Sequence, residues 1–565
     1  INEDDIEIYK KKHPLPRLLA DIENCPINAC ESLKLVAQYF LITKAAKLEQ
    51  DQSKRGYRGS ADPLTSEVEL EKRVRQVEKR LRSVEQPVWK LKPGSHEEWN
   101  HCTAGVCRCL PDTKSFACWN TRLKTVPASQ VIPMNMVNID LSRNMLTTLH
   151  KDCFRGLTLL VELDLSNNKL DFLPFDIFQD LDSLVQLRLQ KNQLEDLDYR
   201  IFQTLRNLHL LDISKNLLGE IPETIFHHVH KLTVINLSDN KIKSLPPDLL
   251  REETQLEEFD FSRNEIEEIK GGCFKHLSKL KMLDLSKNSI ANISEDAFSD
   301  LKNLKSLILH SNRITNIAAN LFENLTDLVT LDLTMNRIVR IENAAFSKLL
   351  SLNELFLGQN ALPFIPDELF IHLINLQRLM LFSNNLTTLQ SGNFLGLRNL
   401  RILTLNNNII KTFDATAFQP LQKLEKLRID SNKLQYLPRG SLDNLPNLIA
   451  VKLDKNPWHC DCRALYLARW IRASRTKLWD GQPMCRGPGD LGGGEVGLLR
   501  YDDLCEGQWA SMLSLSPRLP VRKNELTKPK NFSDYVQMYV INEDTNQTTE
   551  SSLEETTTPK FVAES

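Results

Sequence analysis

The sequence lacks most of the features by which a chain shows a catalytic or membrane role. Lysine plus arginine number 71 against 73 aspartate plus glutamate, a formal net charge of −2, so no bulk charge draws it to nucleic acid or an anionic membrane. No uninterrupted apolar run reaches the roughly eighteen residues that a membrane-spanning helix needs. Neither a methionine nor an apolar leader stands at Ile1, which implies a processed mature chain. There is no H-E-x-x-H, no Walker loop and no G-x-S-x-G, and the 12 histidines are scattered. Residues 492–497, GGGEVG, match G-x-G-x-x-G literally, but a nucleotide fingerprint needs a strand before it and a helix after it. The expectation is a non-enzyme without cofactor or metal.

What the sequence does have is a strict period. Asparagine recurs at Asn144, Asn168, Asn192, Asn216, Asn240, Asn264, Asn288, Asn312, Asn336, Asn360, Asn384, Asn408, Asn432 and Asn456, always 24 residues apart. A second column follows ten residues later: Phe154, Phe178, Phe202, Phe226, Phe274, Phe298, Phe322, Phe346, Phe370, Phe394 and Phe418, with Leu250 and Leu442 at its gaps. Around each asparagine the unit reads L-x-x-L-x-L-x-x-N-x-L followed by F-x-x-L. Size alone would divide 565 residues into three or four domains, but a periodic array grows without a single globular core.

This unit resembles the leucine-rich repeat in its 24-residue extracellular form. The resemblance covers roughly residues 102–507. It implies an α/β solenoid, a curved horseshoe with a parallel concave sheet, here preceded by a helical N-terminal region. Each repeat is expected to make a short strand and return across the convex side. The turn leaves buried N–H and C=O groups without ladder partners, and an inward asparagine amide can donate to and accept from them. The phenylalanine column would fill the convex core.

Cys102, Cys107, Cys109 and Cys118 precede the first repeat, and Cys460, Cys462, Cys485 and Cys505 follow the last. Both groups, with NPWHCDCRALYLARW at 456–470, resemble the disulfide-bonded caps of extracellular leucine-rich repeat proteins. A cap is required because a terminal repeat would otherwise expose its core. The resemblance implies the pairs Cys460–Cys485, Cys462–Cys505, Cys102–Cys109 and Cys107–Cys118. Zinc is the rival reading of Cys-Asp-Cys, and the absence of a matching C-x-x-C weighs against it. Cys25 and Cys30 are read as closing a small local loop. Cys153 and Cys273 each precede a ladder phenylalanine. Five repeats separate them, roughly 24 Å at strand spacing and too far to bridge, so both are read as buried apolar thiols.

The organisation that follows is a helical region at 1–98, an N-terminal cap at 99–135, about 13 repeats over 136–455, a C-terminal cap at 456–507 and an acidic Ser/Thr-rich tail or stalk at 508–565. In the first region Leu70, Val74, Val77, Leu81 and Val84 form a heptad seam, with Ser66 and Glu69 as a capping box and Pro87 as a stop. Residues 66–86 are therefore a candidate homodimer helix, the alternative being a helix folded onto the solenoid. Sequons begin at Asn236, Asn292, Asn324, Asn385, Asn531 and Asn546; with the caps they imply glycosylation and a secreted or cell-surface location.

Solvent-facing strand positions fall six, four and two residues before each ladder asparagine. Early repeats place Asn138, Asp140, Ser142, Glu162, Asp164 and Ser166 there, followed by Asp212, Glu258, Asp260 and Asp284. Later repeats place Ile308, Phe356, Met380, Phe382 and Ile402 there, with Arg378, Lys426, Arg428 and Lys452 as a basic rim. An apolar patch at such positions marks an interaction surface. The family resemblance implies adhesion or cell-cell and cell-matrix recognition through this face, with an extracellular protein ligand or receptor as partner, no nucleic acid, and membrane attachment only through an anchor outside this chain. Two alternatives stay open: a signalling-receptor ectodomain for a soluble or microbial ligand, and a secreted matrix or immune scaffold that oligomerises through its N-terminal helix.

Overall fold

The computed structural model describes residues 63–247, 249–250 and 255–506, with side chains from residue 71 onward. The expectations for Cys25–Cys30, Asn531, Asn546 and the 508–565 tail lie outside those residues.

Fourteen short parallel strands, from Asn138–Asp140 to Ala450–Lys452, supply one rung for each ladder asparagine. The antiparallel pair Arg108–Leu110 and Ser115–Ala117 extends the N-terminal edge, giving a sixteen-stranded sheet. The first repeat strand pairs directly with this cap. Neighbouring repeats pair without slippage: Ile139 lies opposite Leu163, and Leu163 opposite Leu187. The middle residue of each strand is buried and the outer two are exposed to differing degrees, as a sheet with one packed face requires.

Each ladder amide ties its repeat to the preceding one. Asn288 Nδ2 donates to the carbonyls of Leu285 (3.0 Å) and Ser286 (3.2 Å) in its own turn and to Phe261 (3.0 Å) one repeat back. Its Oδ1 accepts the Ile266 N–H at 3.1 Å. The same offsets recur at Asn168, Asn312 and Asn432. The residue before each ladder asparagine lies in the left-handed region, from Arg143 (φ 54°) through Met335 (φ 56°) to Lys455 (φ 54°). That conformation costs an L-residue about 1–2 kcal/mol, and the amide's bonds offset it.

Phenylalanine rings stack along the convex core, with centroids 6.1 to 6.4 Å apart between Phe274, Phe298, Phe322, Phe346 and Phe370. Trp89 continues the column past Phe154 (5.7 Å) to Phe116 (5.5 Å), so a residue upstream of the cap cysteines closes the spine. At the far end Tyr466 stands one period beyond Leu442, accepting the Leu442 N–H at 3.1 Å and donating to Asp443 at 2.9 Å. Disulfides Cys102–Cys109, Cys107–Cys118, Cys460–Cys485 and Cys462–Cys505 hold the two ends in the pairing that the cap resemblance implies. Helix α1 is Pro63–Val84, α2 is His96–Cys102 and α3 is Leu465–Ala473. Helix α3 buries Leu467, Ala468 and Ile471 over the end of the core. Cys153 and Cys273 are buried and unbridged, and burial pushes both thiols above their ordinary pKa.

Helix α1 begins at Pro63, so Ser66 lies inside it and the 66–69 capping box does not mark its start. Proline suits a first turn because that N–H has no partner there anyway. The helix lies on the flank of the first three repeats. Ser83 donates to the Leu149 carbonyl at 2.6 Å, Arg82 pairs with Asp171 at 2.8 Å and Lys79 with Glu195 at 2.6 Å. Val77 from the heptad seam is buried there. Residues 492–497 sit among short 3-10 turns, Gly489–Leu491 and Val496–Leu498, with no βαβ unit around them.

Candidate functional site

Three strands build the apolar part of the concave face. Glu354–Phe356 and Arg378–Met380 are adjacent, with Phe356 directly opposite Met380. Phe382 continues beyond the second strand and its ring covers Gly358, where an added Cβ would lie 2.4 Å from ring atom Cε1. Thr404 Oγ1 lies 3.2 Å from Met380 Sδ and steadies that side chain. Ile402 pairs with Arg378, so it lies diagonally from Met380, a neighbour about 7–8 Å away. Phe356, Met380, Phe382 and Ile402 are all half-buried. Their faces are presented within the sheet, and full burial of one such side chain contributes roughly 1.5–3 kcal/mol.

Ile308 stands apart. Its neighbour across the next strand is Asp332, and Asp332 in turn faces Phe356, so a carboxylate separates Ile308 from the patch. The basic rim is largely compensated within the chain. Arg378 pairs with Glu354 at 3.0 Å, Arg428 with Asp430 at 3.1 Å and Lys452 with Asp480 at 3.1 Å. Lys426 differs: its ammonium lies 5.9 Å from the ring centroid of Trp479.

Trp479 belongs to the surface and was not found by sequence reasoning. It lies outside the repeat register, in the C-terminal cap, and no periodic signal marks it. Its N–H donates to the Val451 carbonyl at 2.9 Å, and Leu478 bridges to Val451, which brings the cap segment against the last repeat strand. The residue is 42% exposed. Burial and the nearby Asp430 carboxylate raise the pKa of Asp454.

The N-terminal half of the face has a scaffold explanation. The carboxylates of Asp140, Asp164, Asp212, Asp260 and Asp284 each accept the N–H two residues on, at 2.8 to 2.9 Å. Asn236 takes the same role with Ser238, accepting its N–H at 3.0 Å and its hydroxyl at 2.7 Å. These side chains close the turn before the ladder asparagine, as Asx turns do. Asn292 and Asn385 are exposed, and Asn324 is half-buried.

The parallel-strand solenoid and its asparagine ladder define a protein of the leucine-rich repeat class. The leucine rich repeat model matches residues 134–194, 206–266, 254–314, 302–362, 351–410 and 398–457, more than half of the chain, so the chain belongs to that family. Among solved structures it is similar to Toll from the Drosophila Toll–Spatzle complex, at 25% identity and a TM-score of 0.60 over 68% of this chain and 53% of that one. It is also similar to a leucine-rich repeat protein of Leptospira interrogans, at 25% identity and a TM-score of 0.54, covering 70% of this chain and 100% of that one. The chain thus spans about half the length of Toll in that complex. No curated protein matches. Among the described residues no helix is long and apolar enough to cross a membrane.

Proposed function

We propose that this chain is an extracellular or cell-surface recognition protein that binds another protein through the C-terminal part of its concave sheet, in adhesion or cell-cell and cell-matrix contact. The observation that carries the reading is the cluster of Phe356, Met380 and Phe382 on two adjacent strands, at positions where the other repeats mostly place polar residues. Large apolar side chains there gain nothing for the core beneath, which buried leucines already fill. Partly exposed aromatics are the groups that anchor protein interfaces.

Toll lends support, since it was solved in a complex with Spatzle. That similarity also favours a second reading, a receptor ectodomain. Four disulfides suit an oxidising compartment, and a glycan at Asn236, on a more N-terminal concave strand, would obstruct that part of the face and leave the Phe356 region free. A screen of the secreted chain against an extracellular protein library tests the reading. A Phe356→Asp, Phe382→Asp variant of unchanged thermal stability is expected to lose the partner, and a partner retained by it would remove the site from this face.

A further inference from the structure

The geometry points to the C-terminal cap as part of the same recognition surface, and to a protein partner that presents an apolar side chain together with a carboxylate. The inference rests on the reading of Phe356, Met380 and Phe382 as the contact site. Trp479 is half-exposed at the edge of the concave sheet and is held there on both sides. Its own N–H is bonded to Val451, and the next residue, Asp480, is paired with Lys452 at 3.1 Å. Lys426 Nζ and Arg428 Cζ lie 5.9 and 5.8 Å from the indole centroid. An exposed tryptophan beside an arginine, with two phenylalanines farther along the same sheet, is the composition in which interface energy concentrates.

Charge selects the partner. Arg378, Arg428 and Lys452 each have a carboxylate from this chain. Lys426, among the described residues, has the Trp479 face and no carboxylate within ion-pairing distance. Its ammonium is the rim charge left for a partner's acidic side chain, and closing the interface over Trp479 would strengthen that pair by removing water. A basic partner would meet Lys426 and Arg428 with like charge. Lys426 lies two strands on from Met380, and pairs with Ile402 on the strand between them. Two strand spacings plus two residues along the strand make about 12 Å, three to four extended residues. The partner segment therefore carries an aromatic or aliphatic residue three or four positions from an Asp or Glu.

A random 16-residue peptide phage library panned on the secreted full chain tests this, with the enriched peptides synthesised and titrated. Enriched sequences are expected to show that apolar-to-acidic spacing. Trp479→Ala and Lys426→Glu should each weaken binding tenfold or more, while Trp479→Phe keeps most of it. Changing the peptide acid to its amide should cost about tenfold on the wild type and little more on Lys426→Glu. If Phe356→Asp, Phe382→Asp abolishes binding while Trp479→Ala and Lys426→Glu bind within twofold, the apolar site stands and the cap proposal falls. If binding survives the phenylalanine variant, both fall. Enriched peptides that are basic or lack an acid, or a library that yields no binder sensitive to any of these variants, also overturn the proposal.

Discussion

Replacing Asn312 by alanine isolates what one rung of the asparagine ladder contributes. Asn312 Nδ2 donates to Leu285 (2.9 Å) and Leu309 (3.0 Å), and its Oδ1 accepts the Ile290 N–H at 3.0 Å. The two carbonyls are not orphaned by the change, because Asn288 still donates to Leu285 and Asn336 still donates to Leu309. The Ile290 N–H, fully inside the stack, loses its partner. A buried unpaired donor costs roughly 1–3 kcal/mol, and the lost bonds with the small void bring the total to about 2–4 kcal/mol. Urea unfolding gives the sum, and amide exchange by mass spectrometry locates it. Protection of the Ile290 amide should fall by tenfold or more, with distant repeats little changed, since each repeat contacts only its neighbours. A loss under about 0.5 kcal/mol with Ile290 still protected would refute the view that the amide satisfies the turn.

Met335 sits in the left-handed region at φ 56°. Met335→Val should therefore cost more than about 1 kcal/mol in urea unfolding, while Met335→Gly stays within about 1 kcal/mol of wild type. Gly396 has φ 91° and an added Cβ would lie 2.3 Å from the Ile371 carbonyl oxygen. Gly396→Ala is expected to lower the thermal midpoint by several degrees, because a backbone atom cannot step aside, at a cost above about 1 kcal/mol. The hydrogen bond from Lys79 holds the Glu195 carboxyl below the usual range, and that from Arg200 does the same for Asp198. A depressed carboxylate pKa stabilises above the unfolded value and is lost as pH falls through the folded one. Protection of helix α1 amides, taken relative to the intrinsic exchange rate at each pH, should accordingly fall between pH 5 and 3 (roughly the carboxylate range), and a Glu195→Gln variant should show a smaller change. With Val77 and Ser83 buried on the first repeats, light scattering is expected to give the mass of one copy. A dimer that dissociates on Val74→Glu, Leu81→Glu would restore the helix-pairing reading.

The parts legible in the sequence were those repeated many times. Asparagine 24 residues apart, phenylalanine ten behind and leucine between them identify turn, core and sheet, because a side chain that must meet its own copy in the next coil has few substitutes. The left-handed turn position escaped notice because any residue without a branched β-carbon can take it, and Arg, Lys, Ser, Asn, Gln, Asp and Met all do. The capping box at Ser66 misled because proline three residues earlier already opens the helix.

By itself the sequence determined the solenoid, its caps and which residues face the concave side, since each follows from period and alternation alone. Only the tertiary structure decided which of those residues meet. Register sets Phe356 against Met380 and Asp332 between Phe356 and Ile308. Ion pairs across repeats, within one repeat and to the cap neutralise most of the basic rim. A cap segment outside the period returns Trp479 to the last strand. Contacts between non-periodic residues depend on strand spacing and loop path, and neither is written in the spacing of the leucines.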